Sequence, residues 1–184
     1  EEFERQGHEV QVSDLYAMGF QPVASAADFG DRADPDYCTY ALEQRHGLNT
    51  GTLSADIRAE LDKLLWCDLL VVVFPVFWFS TPAILKGWID RVIRPDVCYR
   101  FLEGDAGEGV PVGLMRARQA VVFNTSNTAA ERERAVFGDP LGTIWKNCVF
   151  GLCGVPRFYR RMFESIVVST ADERAAWLDE VDQI

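Results

Sequence analysis

The chain has 184 residues, 48% of them hydrophobic and 25% charged, with a formal net charge of −10. That composition suits one globular domain over 1–184 with a real core, and the length is too short for two ordinary ones. A surface this acidic repels nucleic acid and anionic lipid, and no apolar run reaches the ~20 residues of a membrane span, so neither partner is expected.

The opening EEFERQGHEV is acidic, where a secretory leader would be basic and then apolar. Cys38, Cys67, Cys98, Cys148 and Cys153 are odd in number, scattered and mostly set in apolar sequence. They read as reduced, buried thiols of a cytoplasmic protein. With only two histidines beside them, no metal site is expected.

Residues 1–6 read as the tail of a charged helix, with Gly7 as its stop. HEVQVSDLY at 8–16 alternates Val10 and Val12, the pattern of a half-buried strand. Residues 17–52 read as a long connection. Its isolated aromatics, Phe20, Phe29, Tyr37 and Tyr40, argue for a packed functional loop. Ser54 is a suitable N-cap for ADIRAELDKLLW, where Ile57, Leu61, Leu64 and Leu65 form one apolar stripe. DLLVVVF then runs without alternation, as does a parallel strand covered on both faces.

Pro82 opens the next helix at its first position, with Ile84, Leu85, Trp88, Ile89 and Val92 on the buried side. GDAGEGVPVG at 104–113 is glycine-rich but acidic and lacks lysine, which makes it a surface loop rather than a phosphate cradle. QAVVFNTSNT is a second buried strand ending in small polar residues. A helical pattern follows near 140–152, then a weaker strand in FYRRMFESIV. Thr170 and Glu173 form a capping box for ADERAAWLDEV. Helix and strand alternate throughout, so the class is α/β with a parallel sheet.

In such sheets ligands bind beyond the carboxyl ends of the strands. One end here, FPVFWFST, supplies flat aromatic walls; the other, FNTSNT, supplies hydroxyls, amides and backbone N–H groups. Together they suit a planar heteroaromatic ligand with polar edges. Plainer readings stand beside this one: the aromatics could pack under the 17–52 loop, and NTSNT could be a capping turn. No G-x-S-x-G elbow, Walker loop or G-x-G-x-x-G motif is present.

SDLYAMGFQPV at 13–23, FPVFWFSTPAILKGWIDRV at 74–92, CYRF at 98–101 and Cys153-Gly154 resemble the NAD(P)H:quinone oxidoreductase (DT-diaphorase-like) family of flavodoxin-like flavoproteins. The resemblance implies a three-layer α/β/α fold with a five-stranded parallel sheet, order 2-1-3-4-5, in a homodimer. It implies bound FAD, alternatively FMN, with NADPH or NADH as donor and a quinone or similar electrophile as acceptor. Turnover would be ping-pong, by two-electron hydride transfer. Pro75, Val76, Phe77, Trp78 and Phe79 would line the flavin ring, and Asn124, Thr125, Ser126, Asn127 and Thr128 would meet its pyrimidine side. Trp78 and Phe79 would also face the substrate, with Tyr99 and Phe101 closing the pocket from the partner subunit.

This chain departs from the family at several points. Thr125-Ser126 replaces a Gly-Gly pair, and Glu131 and Phe137 stand near a Tyr and at a His that relay charge and protons. That relay cannot operate here, so no catalytic side chain is implied, and donors of the 124–128 loop would stabilise charge instead. A first strand with its phosphate loop is expected to precede residue 1. Two other classes share the fold: a regulatory flavoprotein subunit, for example of a transporter, and a one-electron flavodoxin.

Overall fold

The computed structural model describes residues 2–102, 109 and 111–184. In chain order the elements are α1 (Glu2–Arg5), α2 (Tyr40–Thr50), α3 (Ala55–Trp66), β1 (Leu69–Pro75), α4 (Ala83–Val92), β2 (Tyr99–Arg100), β3 (Val112–Gly113), β4 (Gln119–Thr125), α5 (Ala130–Arg132), α6 (Pro140–Thr143), β5 (Arg157–Phe163) and α7 (Ala171–Val181). α5 continues as a π-helical stretch over Glu133–Phe137, and α6 continues as another over Ile144–Gly151.

The main sheet has three parallel strands in the order β1–β4–β5, with Val72 opposite Val122 and Val122 opposite Arg160. The class is as expected; with the first of the five strands placed before residue 1, four are expected here, and among the described residues the sheet has three, the consecutive run that strands 3-4-5 would form. β2 and β3 make a separate antiparallel pair. Alternate residues of the strands face opposite layers. Val72, Phe74, Ala120 and Val122 join Ile57 and Leu61 of α3, Leu85 and Trp88 of α4, and Trp145 and Phe150 in the larger core. Val121, Phe123 and Phe163 pack with Trp177 and Val181 of α7 on the other face. Helices therefore lie on both sides, as in a three-layer α/β/α fold.

Several expectations need correction. Residues 8–16 form no strand; Val10, Val12 and Tyr16 are exposed. A strand is stable only where a neighbour takes its backbone hydrogen bonds, and no described strand lies alongside. Side chains of α3 hold the segment instead: Ser13 Oγ donates to Glu60 at 3.0 Å, and Lys63 Nζ donates to the Val12 carbonyl at 3.3 Å. The 17–52 connection is not all loop, since it contains α2. Its aromatics do pack, with Phe20 and Phe29 buried and Phe29 against Tyr40 at 5.2 Å, whereas Tyr37 is exposed.

β1 is covered fully on one face and in part on the other, where Val71 packs on the Val121–Phe123–Phe163 cluster while Val73 is 73% exposed. Pro82 is the cap residue, and the helix begins at Ala83. Cys38 and Cys148 are exposed, leaving only Cys67, Cys98 and Cys153 buried, although all five are free thiols. Of the acidic glycine-rich stretch, residues 104–108 and 110 lie outside the described residues, while Val112 and Gly113 are β3 rather than loop. No described helix is long and apolar enough to cross a membrane.

A buried ionic network ties the 20–28 segment to α4. Arg91 grips Asp28 with two hydrogen bonds of 3.2 and 2.9 Å, and its Nη1 donates to Asp56 at 2.7 Å and to the Gln21 carbonyl at 2.6 Å. The Tyr40 hydroxyl also donates to Asp28, at 2.5 Å. Gly87 permits this approach, since a Cβ there would stand 2.2 Å from the Pro22 carbonyl oxygen.

Candidate functional site

β1 delivers its last residue, Pro75, opposite Thr125 of β4, and the Val76 N–H donates to the Thr125 carbonyl at 2.8 Å. The chain then reverses. Phe77 N–H donates to the Ser80 carbonyl at 3.1 Å, and Ser80 N–H donates back to Phe77 at 2.9 Å. The two residues between them, Trp78 and Phe79, have φ of 50° and 57°. Tight two-residue turns with both φ values positive normally use Asn-Gly, because a left-handed backbone costs other residues roughly 1–2 kcal/mol each. Two bulky aromatics in this conformation are sterically expensive, and strain of that kind concentrates where a ligand is held.

The turn exposes what it carries. Trp78 is 94% exposed and Phe77 55%, while Phe79 lies against Phe137 with ring centroids 4.3 Å apart. The backbone N–H groups of Trp78 and Phe79 make no hydrogen bond among the described residues. Free aromatic faces beside unspent N–H donors are what a flat heteroaromatic molecule with carbonyl or ring-nitrogen acceptors needs.

Beside this turn stands the end of β4. Asn124 is 1% exposed, yet neither its amide nitrogen nor its amide oxygen has a partner among the described residues. The next residues are held by their own loop. Ser126 N–H donates to the Phe163 carbonyl at 2.9 Å, Ser126 Oγ accepts the Thr128 N–H at 3.0 Å, and Asn127 Oδ1 accepts the Val167 N–H at 3.2 Å. The side chains of Ser126 and Asn127 are thus committed to shaping the loop, a local turn of the kind Ser and Asn favour.

The structure therefore brings Pro75–Phe79 and the 124–128 loop together at the carboxyl edge of the sheet. Tyr99 and Phe101 lie elsewhere: Tyr99 belongs to the β2–β3 pair, and the two rings meet edge to face at 6.0 Å. Burial raises the Tyr99 phenol above its usual range, so it stays protonated at neutral pH. The sequence gives no sign of the Phe79–Phe137 contact. Phe137 is noticeable there only as a replacement for an expected His, whereas folded it backs the aromatic wall.

A flavin ring fits the residues present. The N–H groups at 78–79, which make no hydrogen bond among the described residues, answer its polar rim, and Phe77 and Trp78 answer its faces.

The fold and this site define a flavodoxin-like protein. The family described as "Flavodoxin-like fold" matches residues 1–184, and the chain belongs to it. Among curated proteins, the chain is 33% identical over 193 residues to the ribosyldihydronicotinamide dehydrogenase [quinone] of Mus musculus, covering all of this chain and 81% of that protein. It is 42% identical over 102 residues to NAD(P)H dehydrogenase [quinone] 1 of Rattus norvegicus, covering 55% of this chain and 37% of that protein. Among solved structures, a putative quinone reductase from Klebsiella pneumoniae superposes with a TM-score of 0.88 at 30% identity, covering 99% of this chain and 73% of that one.

Proposed function

We propose that the protein is a flavin-dependent NAD(P)H oxidoreductase that delivers hydride to a quinone or a similar electrophile. The observation that carries this reading is Trp78, 94% exposed on a left-handed turn with free N–H groups, beside the loop that ends β4. A large aromatic held out of the core in a costly backbone conformation calls for a partner, and the turn lies where α/β sheets bind ligands. The relatives named above are quinone-acting dehydrogenases of dihydronicotinamides, which fits the same site.

A flavin held there by Phe77, Trp78 and the 124–128 loop would supply the redox chemistry, hydride transfer between a nicotinamide donor and the acceptor. This chain's residues position the reactants. Phe77 and Trp78 give the faces against which flat rings align, and alignment is most of what hydride transfer asks of a protein. Phe137 keeps Phe79 in place from behind. The N–H groups of Trp78 and Phe79 would supply fixed dipoles to the polar rim of that ring. Neither Glu131 nor Phe137 restores a Tyr/His proton relay, so the proton of the reduced acceptor comes from solvent or from a loop hydroxyl.

Several finer features belong to the same reading. The flavin is FAD, with FMN as the alternative, and the donor is NADPH or NADH. The protein works in the cytoplasm as a homodimer, with Tyr99 and Phe101 covering the partner's site. Phe101 is 41% exposed and has a ring face to offer.

The test is the visible absorption spectrum of the purified protein before and after anaerobic NADPH. A yellow protein that bleaches in one two-electron step supports the reading. A yellow protein that NADPH leaves unchanged overturns the enzyme assignment, and a protein that takes up neither FAD nor FMN overturns the flavin site.

A further inference from the structure

Cys98 directly precedes β2, and Cys153 follows the helical stretch at 144–151. Folding brings the two side chains into a hydrogen bond in the core, where both residues are 0% exposed. The β2–β3 pair hangs on the same two residues. Leu114 N–H donates to the Cys98 carbonyl at 2.9 Å, and Met115 N–H donates to the Cys153 carbonyl at 3.1 Å. Gly113 of β3 lies so close that a Cβ on it would stand 2.2 Å from the Gly154 nitrogen.

Beside this pair lies a cation with no carboxylate of its own. Arg94 is 0% exposed; its Nε donates to the Val92 carbonyl at 3.4 Å, its Nη2 donates to the Arg91 carbonyl, and its Nη1 has no partner among the described residues. Carbonyls do not neutralise a buried charge, and desolvating an unpaired one is expensive. Burial pushes the Arg94 guanidinium below its usual range, and negative charge at Tyr40, Cys98 or Asp28 would hold it up. Asp28 is already bound to Arg91 and Tyr40. The Tyr40 phenol is raised by burial and by that bond to Asp28, so it stays neutral at neutral pH. Cys98 is left as the counter-charge. The hydrogen bond from Cys153 lowers its thiol; burial opposes this, and the backbone and guanidinium of Arg94 lower it further. Cys153 is raised by donating that bond and by burial, so it keeps its proton. A thiolate beside a protonated thiol is the arrangement of an attacking and a resolving cysteine. Cys67 is the contrast: its Sγ donates to the Leu64 carbonyl at 3.4 Å and burial raises its thiol, as in an inert core cysteine.

We propose that Cys98 and Cys153 form a reversible disulfide, with a hydroperoxide as the oxidant, that fastens the β2–β3 pair to the segment leading into β5. The Cys98 sulfur attacks one peroxide oxygen: an S–O bond forms, the O–O bond breaks, and the departing oxygen takes a proton from solvent and leaves as water. The Cys153 sulfur then attacks the Cys98 sulfur. An S–S bond forms, the S–O bond breaks, and the Cys153 proton leaves with that oxygen as a second water. Each sulfur gives up one electron, and one peroxide takes both. The oxidant enters past the β2–β3 pair, which joins only two residues from each strand and so opens without unfolding the sheet. The disulfide stands whether or not the flavin reading holds.

The test uses the full chain carrying Cys38→Ser and Cys148→Ser, which removes the two exposed thiols and leaves three. Millimolar hydrogen peroxide should lower its mass by about 2 Da, link the Cys98 and Cys153 peptides, and leave Cys67 as the one free thiol counted after denaturation; dithiothreitol should restore the other two. Adding Cys153→Ser keeps a donor beside Cys98, so dimedone should then trap a sulfenic acid on Cys98, whereas adding Cys98→Ser should leave Cys153 unlabelled. Amide hydrogen exchange at Leu114 and Met115 should slow by roughly tenfold or more in the disulfide form. The proposal is overturned by survival of all three thiols, by oxygen adducts without a link, by a link to Cys67, by dimedone on Cys153 rather than Cys98, or by unchanged exchange at Leu114 and Met115.

Discussion

Trp78→Ala separates ligand binding from folding. The indole is 94% exposed, so its loss should leave the stability of the flavin-free protein within about 0.5 kcal/mol of wild type. A flat ring laid on one face of it would cover on the order of 100 Å², half of what an enclosed Trp buries. At ~25 cal/mol/Å² that is about 2.5 kcal/mol, and fixing the side chain takes back about 0.5–1 kcal/mol. The remaining ~1.5–2 kcal/mol corresponds to flavin binding weaker by a factor of roughly ten to thirty. Titrating flavin-free protein with FAD and FMN and following flavin fluorescence measures the affinity; a thermal melt of the same sample measures the fold. Trp78→Gly adds a check, because glycine removes the left-handed penalty at φ 50°. It should weaken flavin as much as alanine does, while raising stability by up to ~1 kcal/mol. Unchanged affinity in both variants, or a large stability loss in the alanine variant, refutes the exposed-wall argument.

Arg91→Leu strands Asp28 without its cation in a site where both side chains are at most 4% exposed. It should cost about 3–5 kcal/mol in urea denaturation, and adding Asp28→Asn should recover a large part; a loss below 1 kcal/mol would mean the network contributes little. Burial alone would raise the Glu43 carboxyl. The N–H groups of Ala33 and Asp34 and the Arg32 guanidinium outweigh it and hold the group below 4.5. The Glu43 contribution is therefore complete above the unfolded value and is lost as pH falls through the lower folded one. Glu43→Gln should lower stability at pH 7 and flatten the acid limb below pH 4.5; an acid limb of unchanged slope rejects this. Gly87→Ala would set a Cβ 2.2 Å from the Pro22 carbonyl oxygen. Because backbone must move, it should cost about 2–3 kcal/mol in chemical denaturation, and a silent variant would show that the 20–23 segment yields freely.

The legible elements are those whose own residues carry their burial. β1 and β4 are runs of Val, Leu and Phe, and α3 and α4 show apolar stripes. α7 announces itself through Thr170 and Glu173, which do cap each other as the spacing implies. α2 has no such mark. Its buried face is Glu43, Gln44 and Gly47 rather than a hydrophobic row. Those polar side chains are satisfied by distant partners, the N–H groups of Ala33 and Asp34 and the carbonyl of Asp90. The alternation at 8–16 misleads for the converse reason: a strand pattern is only an offer of hydrogen bonds, and no described strand takes it.

The same division runs through the site. The order of residues alone determines that an apolar strand ends in Phe77-Trp78-Phe79 and a neighbouring one in Asn124-Thr125-Ser126, because those segments carry their own patterns. Only the folded chain decides what these residues face. The left-handed turn puts Trp78 into solvent, Phe137 reaches Phe79 across 58 positions of sequence, and the loop consumes the side chains of Ser126 and Asn127 while Asn124 finds no partner among the described residues. Whether a polar side chain is spent or free depends on groups far away in the chain, and those meet only when the layers close.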